Sequence, residues 1–245
     1  MFPIKDENPT ETKSYITIIL IFINIIVYLY QASLTGGENY NLILQYGFKP
    51  SHFFSLHSNE FYNISPFLTI LTSMFMHGGL LHLLGNMLFL WIYGNNIEDS
   101  MGHIKFLIFY FTCGFAAALL QAIVSPGSST PMIGASGAVS GVLSAYFLLF
   151  PKARVLTLII LIFFITFIRI PAGILIGLWF LSQITNAYFT DPNSPGVAWY
   201  AHIGGFLMGF ILIPFLKKKK FKFFSGGIKA SNSKKLKKIS LRFRK

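Results

Sequence analysis

Six stretches of the chain are apolar for long enough to cross a bilayer, at about 15–32, 78–94, 104–124, 132–150, 171–189 and 199–216. A spanning helix needs roughly 20 such residues, so the pattern predicts an all-α polytopic membrane protein with a six-helix bundle. Between the first two runs lies a long polar and aromatic loop, 34–76, broken by Lys49-Pro50 and Ser65-Pro66. It predicts short interfacial helices in the first outer loop. A further run, Val155 to Ile168, has only 14 residues and lies between Lys152/Arg154 and Arg169. Its β-branched content suits an extended hairpin at the inner face better than a seventh span.

Charge sets the orientation, because short cytoplasmic loops collect Lys and Arg. With six spans, 19 of the 20 Lys and Arg fall on one side and only Lys49 on the other. A seventh span would separate Arg169 from Lys152 and Arg154. Both termini are therefore expected in the cytoplasm, giving an N-terminal segment 1–14, a six-span body 15–216 and a basic tail 217–245. The first apolar run follows a mixed-charge stretch without a small-x-small cleavage site, and reads as a retained span.

A chain of 245 residues that is 53% hydrophobic and 11% charged has too little polar surface to dissolve as globular domains. The net charge of +12 could suggest nucleic acid, but 13 of the basic residues follow Leu216. There they alternate with Phe221, Phe223 and Phe224, a pattern suited to anionic lipid headgroups. Membrane lipids are the expected partner of the tail, and nucleic acid is not. The single cysteine, Cys113, excludes a disulfide framework and a thiolate metal site. Composition rich in Ile, Lys, Phe and Asn hints at an AT-rich genome and a bacterial cytoplasmic membrane.

Candidate chemistry begins at Met132-Ile-Gly134-Ala-Ser136-Gly137-Ala-Val-Ser140-Gly. Gly134 and Gly137 flank Ser136 without side chains, so a second backbone and a substrate carbonyl could approach its hydroxyl. A helix opening at Ser136 would aim its free N–H groups and positive dipole end at that hydroxyl. Taken alone, the segment reads equally as a small-residue packing face. In Ala201-His202-Ile-Gly-Gly205-Phe-Leu-Met-Gly209, a histidine opens the last span, and the six-span parity puts it at the depth of Ser136. Histidine within reach of serine is the general base that a hydroxyl nucleophile needs; alone it is also a structural hydrogen bonder. Gly205 and Gly209, at G-x-x-x-G spacing, would allow the two helices to approach closely. In the second span His82 and Asn86 share a helix face, whereas His77 lies well round from it. Their N–H groups suit an oxyanion or, equally, helix-to-helix contact.

Together, Gly134-Ala-Ser136-Gly137, Ala201-His202-Ile-Gly-Gly205 and His77-Gly-Gly-Leu-Leu-His82-Leu-Leu-Gly-Asn86 resemble the rhomboid intramembrane serine proteases, over about 15–216. The resemblance implies Ser136 as nucleophile and His202 as general base and acid. It also implies an oxyanion site of His82, Asn86 and the Ser136 N–H, with Gly205 seated close to the serine. The fifth span and the loop 190–198 look like the family's mobile gate and lid. The implied dyad has no carboxylate, and Asp191 is the only acidic residue near enough in sequence to be considered. One departure stands out. Many relatives carry an aromatic residue four positions after the nucleophile, where this chain has Ser140, so His202 is expected to be held less rigidly.

The implied activity is hydrolysis of single-span membrane proteins near the outer face, without cofactor or metal. A transporter or an inactive helix-binding relative is the alternative. Metalloprotease and aspartyl classes fail on residues: no H-E-x-x-H occurs, and no acidic residue is expected mid-span.

Overall fold

The structure, a computed structural model, describes residues 2–54, 64–161, 164–192, 194 and 196–227. Among these residues the helices are α1 (Tyr15–Ser33), α2 (Gly36–Tyr46), α3 (Pro50–Phe54), α4 (Pro66–Ser73), α5 (Leu80–Met101), α6 (His103–Val124), α7 (Ser136–Leu149), α8 (Ala172–Phe189) and α9 (Trp199–Leu216). Local chemistry explains several boundaries. Thr35 and Glu38 form a reciprocal capping box at the start of α2. Pro66 occupies the first turn of α4, where no N–H is needed. Gly102, at φ +90°, makes the tight joint between α5 and α6. Pro151 disfavours helix at Phe150 and closes α7.

The chain is mostly helical, and α1, α6, α8 and α9 are long and apolar enough to cross a membrane. Helix α5 runs on past the apolar stretch to Met101, taking in Glu98 and Asp99, and α7 has only 14 residues. The first outer loop holds α2, α3 and α4; its segment 55–63 lies outside the described residues.

A three-stranded antiparallel sheet qualifies the all-α expectation: β1 (Phe2–Asp6), β2 (Arg154–Leu161) and β3 (Phe164–Pro171), in that order. The β2–β3 hairpin is the extended element expected at 155–168, paired from Arg154↔Pro171 to Leu161↔Phe164. The third strand was not legible in the sequence. It pairs Phe2 with Leu158 and Asp6 with Val155, covering the edge that β2 would otherwise leave open.

Helix α7 is the centre of the bundle. It packs against α5, α6, α8 and α9, and 11 of its residues are buried, which leaves almost no lipid-facing surface. Helices α1 and α8 are peripheral, exposing residues such as Phe22, Leu29, Leu178 and Tyr188. The close approach of α6, α7 and α9 depends on missing side chains. A Cβ at Gly205 would strike the Gly137 carbonyl, one at Gly209 the Gly141 carbonyl, and one at Gly204 would lie 2.9 Å from the Ala116 oxygen. Cys113 fills the hollow beside Gly141, which gives the lone cysteine a packing role.

At the far end of α7 the sequence reading needs one correction. Glu98 and Asp99 were expected in a loop, yet both are buried in the last turns of α5. Glu98 accepts from the N–H groups of Ile16 and Thr17 and the Thr17 hydroxyl, at 2.7–2.9 Å. Asp99 accepts from Glu11 N–H, Thr12 N–H and the Thr12 hydroxyl. The two carboxylates serve the unpaired N–H groups that open α1 and the segment before it, where negative charge is favoured. The first residues of the basic tail pack on the body. Lys218 N–H bonds to Ser100 O, Phe224 N–H to Leu148 O and Ser225 N–H to Leu149 O, and Phe221 is buried against Phe150. Residues 228–245, the rest of the expected tail, lie outside the described residues.

Candidate active site

Three backbone contacts hold the segment before α7. Phe48 and Met132 exchange N–H···O bonds of 3.1 and 2.7 Å, and Gly134 N–H donates to Ser73 O at 2.9 Å. Gly134 sits at φ +123°, and a side chain there would meet the His82 ring at 2.8 Å. Glycine is therefore required twice, for its conformation and for space. Ser136 follows as the first residue of α7, where the opening N–H groups have no partner inside the helix.

His202 lies in the first turn of α9, level with Ser136. Its Nε2 is 2.8 Å from Ser136 Oγ. Its Nδ1 is 2.7 Å from Gln183 Oε1 on α8. Two indoles border the imidazole, Trp179 at 5.9 Å and Trp199 at 6.1 Å between ring centroids. Ser140, at the aromatic position of many relatives, is buried and donates to Ser136 O at 2.6 Å. The His202 ring is thus confined from α8 and from the head of α9, and not from the turn after the serine. Asp191 is not the Nδ1 partner; an amide takes that place.

His82 and Asn86 lie together on α5 beside Gly134. Gly78 N–H points at His82 Nδ1 at 3.4 Å, a long bond that makes Nδ1 the acceptor and leaves the ring's proton on Nε2. Asn86 Nδ2 is buried with no partner among the described residues. His77 is off this site. It is buried, its ring lies 5.1 Å from that of His82, and its backbone N–H bonds to Gln31 Oε1 at 2.9 Å, which ties α1 to the turn before α5.

A cavity of about 640 Å³ collects these groups, with Ser136, His202, His82 and Asn86 in its wall. The loop after α8 borders it through Asp191, Pro192 and Gly196; Asn193 and Pro195 of that loop lie outside the described residues. Gly134 and Gly137 also line the cavity. Gly137 does a second job, since a Cβ there would collide with Ala117 of α6. Gly205 and Gly209 bring α9 onto α7. The sequence reading passed over Gln183 and Trp179. A glutamine inside the apolar run 171–189, one helical turn after a tryptophan, was the available signal.

The model of the Rhomboid domain matches residues 65–219. The chain belongs to the rhomboid family. The match begins with α4, so α1 to α3 lie ahead of it. The chain is 32% identical over 149 residues to RHOMBOID-like protein 4 of Arabidopsis thaliana, covering 58% of this chain and 32% of that protein. It is 30% identical over 152 residues to Rhomboid protein 1, mitochondrial, of Saccharomyces cerevisiae, covering 58% and 40%. Against the Presenilin-associated rhomboid-like protein, mitochondrial, of Bos taurus it is 29% identical over 146 residues, covering 57% and 36%. The matched stretch of this rhomboid therefore spans 32–40% of these relatives' length. Two of the three names place those proteins in mitochondria, which is at odds with a bacterial membrane read from composition. The apolar helices make this rhomboid a multi-pass membrane protein.

Proposed function

We propose that this rhomboid is an intramembrane serine endopeptidase with a Ser136–His202 dyad. The observation that carries the reading is the 2.8 Å contact between Ser136 Oγ and His202 Nε2 in the wall of a cavity. His202 Nε2 takes the hydroxyl proton as Oγ bonds to the scissile carbonyl carbon, and the carbonyl electron pair moves to oxygen. Asn86 Nδ2, the Nε2–H of His82 and the Ser136 N–H are the donors for that oxyanion. Each such donor is typically worth about 10²–10³ in rate. The protonated His202 then gives its proton to the leaving amine. Water, deprotonated by the same nitrogen, releases the acyl group from Ser136.

On this reading α1 and α5 to α9 are six crossings, α2 to α4 lie at the interface and both termini are in the cytoplasm; the length and apolar character of α1, α6, α8 and α9 support it. Helix α7 spans about 21 Å at 1.5 Å per residue, against a hydrocarbon core of about 30 Å. Its N-terminus lies below the outer surface, where irregular backbone is tolerated because it lines a wet cavity. The substrates are single-span membrane proteins cut near the outer face, at a small residue in a helix that unwinds easily. Peptide groups within a regular helix are satisfied and shielded, so an unwound segment is what Ser136 can reach.

Fluorophosphonate labelling of the detergent-purified chain tests this without a known substrate. Wild type is expected to label, and Ser136→Ala and His202→Ala are expected not to. An unlabelled wild type, beside an active rhomboid that labels under the same conditions, would remove the proteolytic reading.

A further inference from the structure

Gln183 is not part of the dyad, yet its amide is held from both ends. Its Nε2 donates to Trp179 O at 2.9 Å, one turn back on α8, and to Ser182 Oγ at 2.8 Å. Those contacts fix the orientation of the amide. Turned over, Oε1 would face the Trp179 carbonyl oxygen, placing two acceptors together, and Nε2 would face the imidazole. With Nε2 occupied, Oε1 is left as an acceptor 2.7 Å from His202 Nδ1, in a side chain only 4% exposed. An acceptor there requires the proton on Nδ1. Neutral imidazole carries one proton, so Nε2 keeps its lone pair for the Ser136 hydroxyl.

We infer that Gln183 is the positioning residue of this dyad: it selects the Nδ1–H tautomer of His202 and orients the ring from α8. The inference rests on the proteolytic reading for its consequence in rate, but not for its consequence in tautomer. The amide does the orienting work that a carboxylate does in a serine triad, without placing a negative charge in the bilayer. Because Trp179 and Gln183 sit one turn apart on α8 and both face His202, the dyad is complete only while α8 is seated against α9. A rearrangement that withdraws α8 would remove the tautomer control along with the steric wall.

The test uses the full chain with Gln183→Met, which keeps length and removes the acceptor, and Gln183→Glu, which keeps an acceptor. Saturable fluorophosphonate labelling separates inhibitor binding from the chemical step. Nitrogen-15 histidine NMR, with His202→Ala for assignment, reads the tautomer. The expected result for Gln183→Met is a chemical step slower by about 10- to 100-fold, the loss of one bond to a developing imidazolium. Inhibitor binding stays unchanged, the melting temperature falls modestly with the lost buried bonds, and His202 shows a mixture of tautomers. Gln183→Glu recovers most of the rate and keeps Nδ1–H. A Gln183→Met protein that reacts at the wild-type rate, or retains a pure Nδ1–H signal, overturns the inference. So does a Gln183→Glu protein as slow as the Met variant. If no protein labels, wild type included, the proteolytic reading fails, and the nitrogen-15 spectra still decide whether Gln183 sets the tautomer.

Discussion

Replacing Gly205 with alanine adds one methyl group at the closest approach of two helices. The new Cβ would overlap the Gly137 carbonyl oxygen and lie 2.8 Å from its carbon. Carbon atoms pack at about 3.5 Å, so α9 must retreat from α7 by at least about 0.7 Å, and by more to clear the oxygen. Neither the Gly137 oxygen nor its carbon can rotate away, because both belong to the backbone of α7. His202 lies less than one turn from Gly205 on α9, so the retreat stretches its 2.8 Å contact with Ser136 beyond good hydrogen-bond geometry. A 1 Å misplacement of reacting groups costs about 10²-fold in rate, and overpacking of this kind typically costs about 1–3 kcal/mol of stability. Gly205→Ala should therefore lower the fluorophosphonate labelling rate by about two orders of magnitude and lower the melting temperature. Gly127→Ala is the control, because a Cβ there meets nothing within 4 Å. A Gly205→Ala protein that labels and melts like wild type would refute the claim that this contact sets the dyad distance.

Three other outcomes follow from the same geometry. Asn86→Leu should slow cleavage or labelling by about 10²–10³-fold with little change in ligand binding, because an oxyanion donor acts chiefly in the transition state; an equal loss in binding would point to a structural role instead. Asp6 is buried beneath Tyr146, whose hydroxyl donates to it at 2.9 Å, and burial outweighs that bond and pushes its pKa from 3.8 up to about 6. Between those values only the folded state holds the proton, so stability falls as pH rises through the window, by about 3 kcal/mol in all. Asp6→Asn, which keeps an acceptor for Tyr146, should match wild type near pH 4 and melt higher near pH 7.5; a gap that does not change with pH would rule out this linkage. Glu98→Gln should lower the melting temperature by removing charge from bonds to the start of α1, each typically worth about 1.5–3 kcal/mol. An unchanged melting temperature would show that α1 does not depend on that anion.

The spans and the site residues were legible for different reasons. Apolar run length reports directly on what a bilayer demands, so the limits of α1, α6, α8 and α9 were read to within a residue or two. Helix α5 was cut short because Glu98 and Asp99 look like loop residues until the N–H groups that bind them are known, and those come from more than 80 positions earlier in the chain. The same separation hid β1, whose partner lies about 150 residues away. At the site, Ser136, His202, His82 and Asn86 announced themselves as polar groups among glycines in apolar runs. Gln183 was equally polar and equally placed, but no glycine or motif accompanied it. That Gly137 serves close packing was legible from its small-residue segment, but not that its neighbour is Ala117 of α6.

Polarity is divided between the two ends of the bundle in a way that follows from the cost of burying charge. A buried carboxylate is tolerable where several donors converge on it: the start of α1 supplies N–H groups to Glu98 and Asp99, and the His103 ring lies 2.6 Å from Glu98 as well. At the opposite end, His202 needs an acceptor but has no such surplus of donors around it. An ionised carboxylate there would be a charge in a low-dielectric wall with the imidazole as its main partner, whereas a protonated one could accept from Nδ1 much as the amide does. The amide accepts that proton without bringing a charge, which leaves Nε2 its lone pair for the proposed transfer from Ser136. The difference between Glu98 and Gln183 is thus a difference in local donor supply. It accounts for a third side chain on the Ser136–His202 pair that is an amide and not an acid.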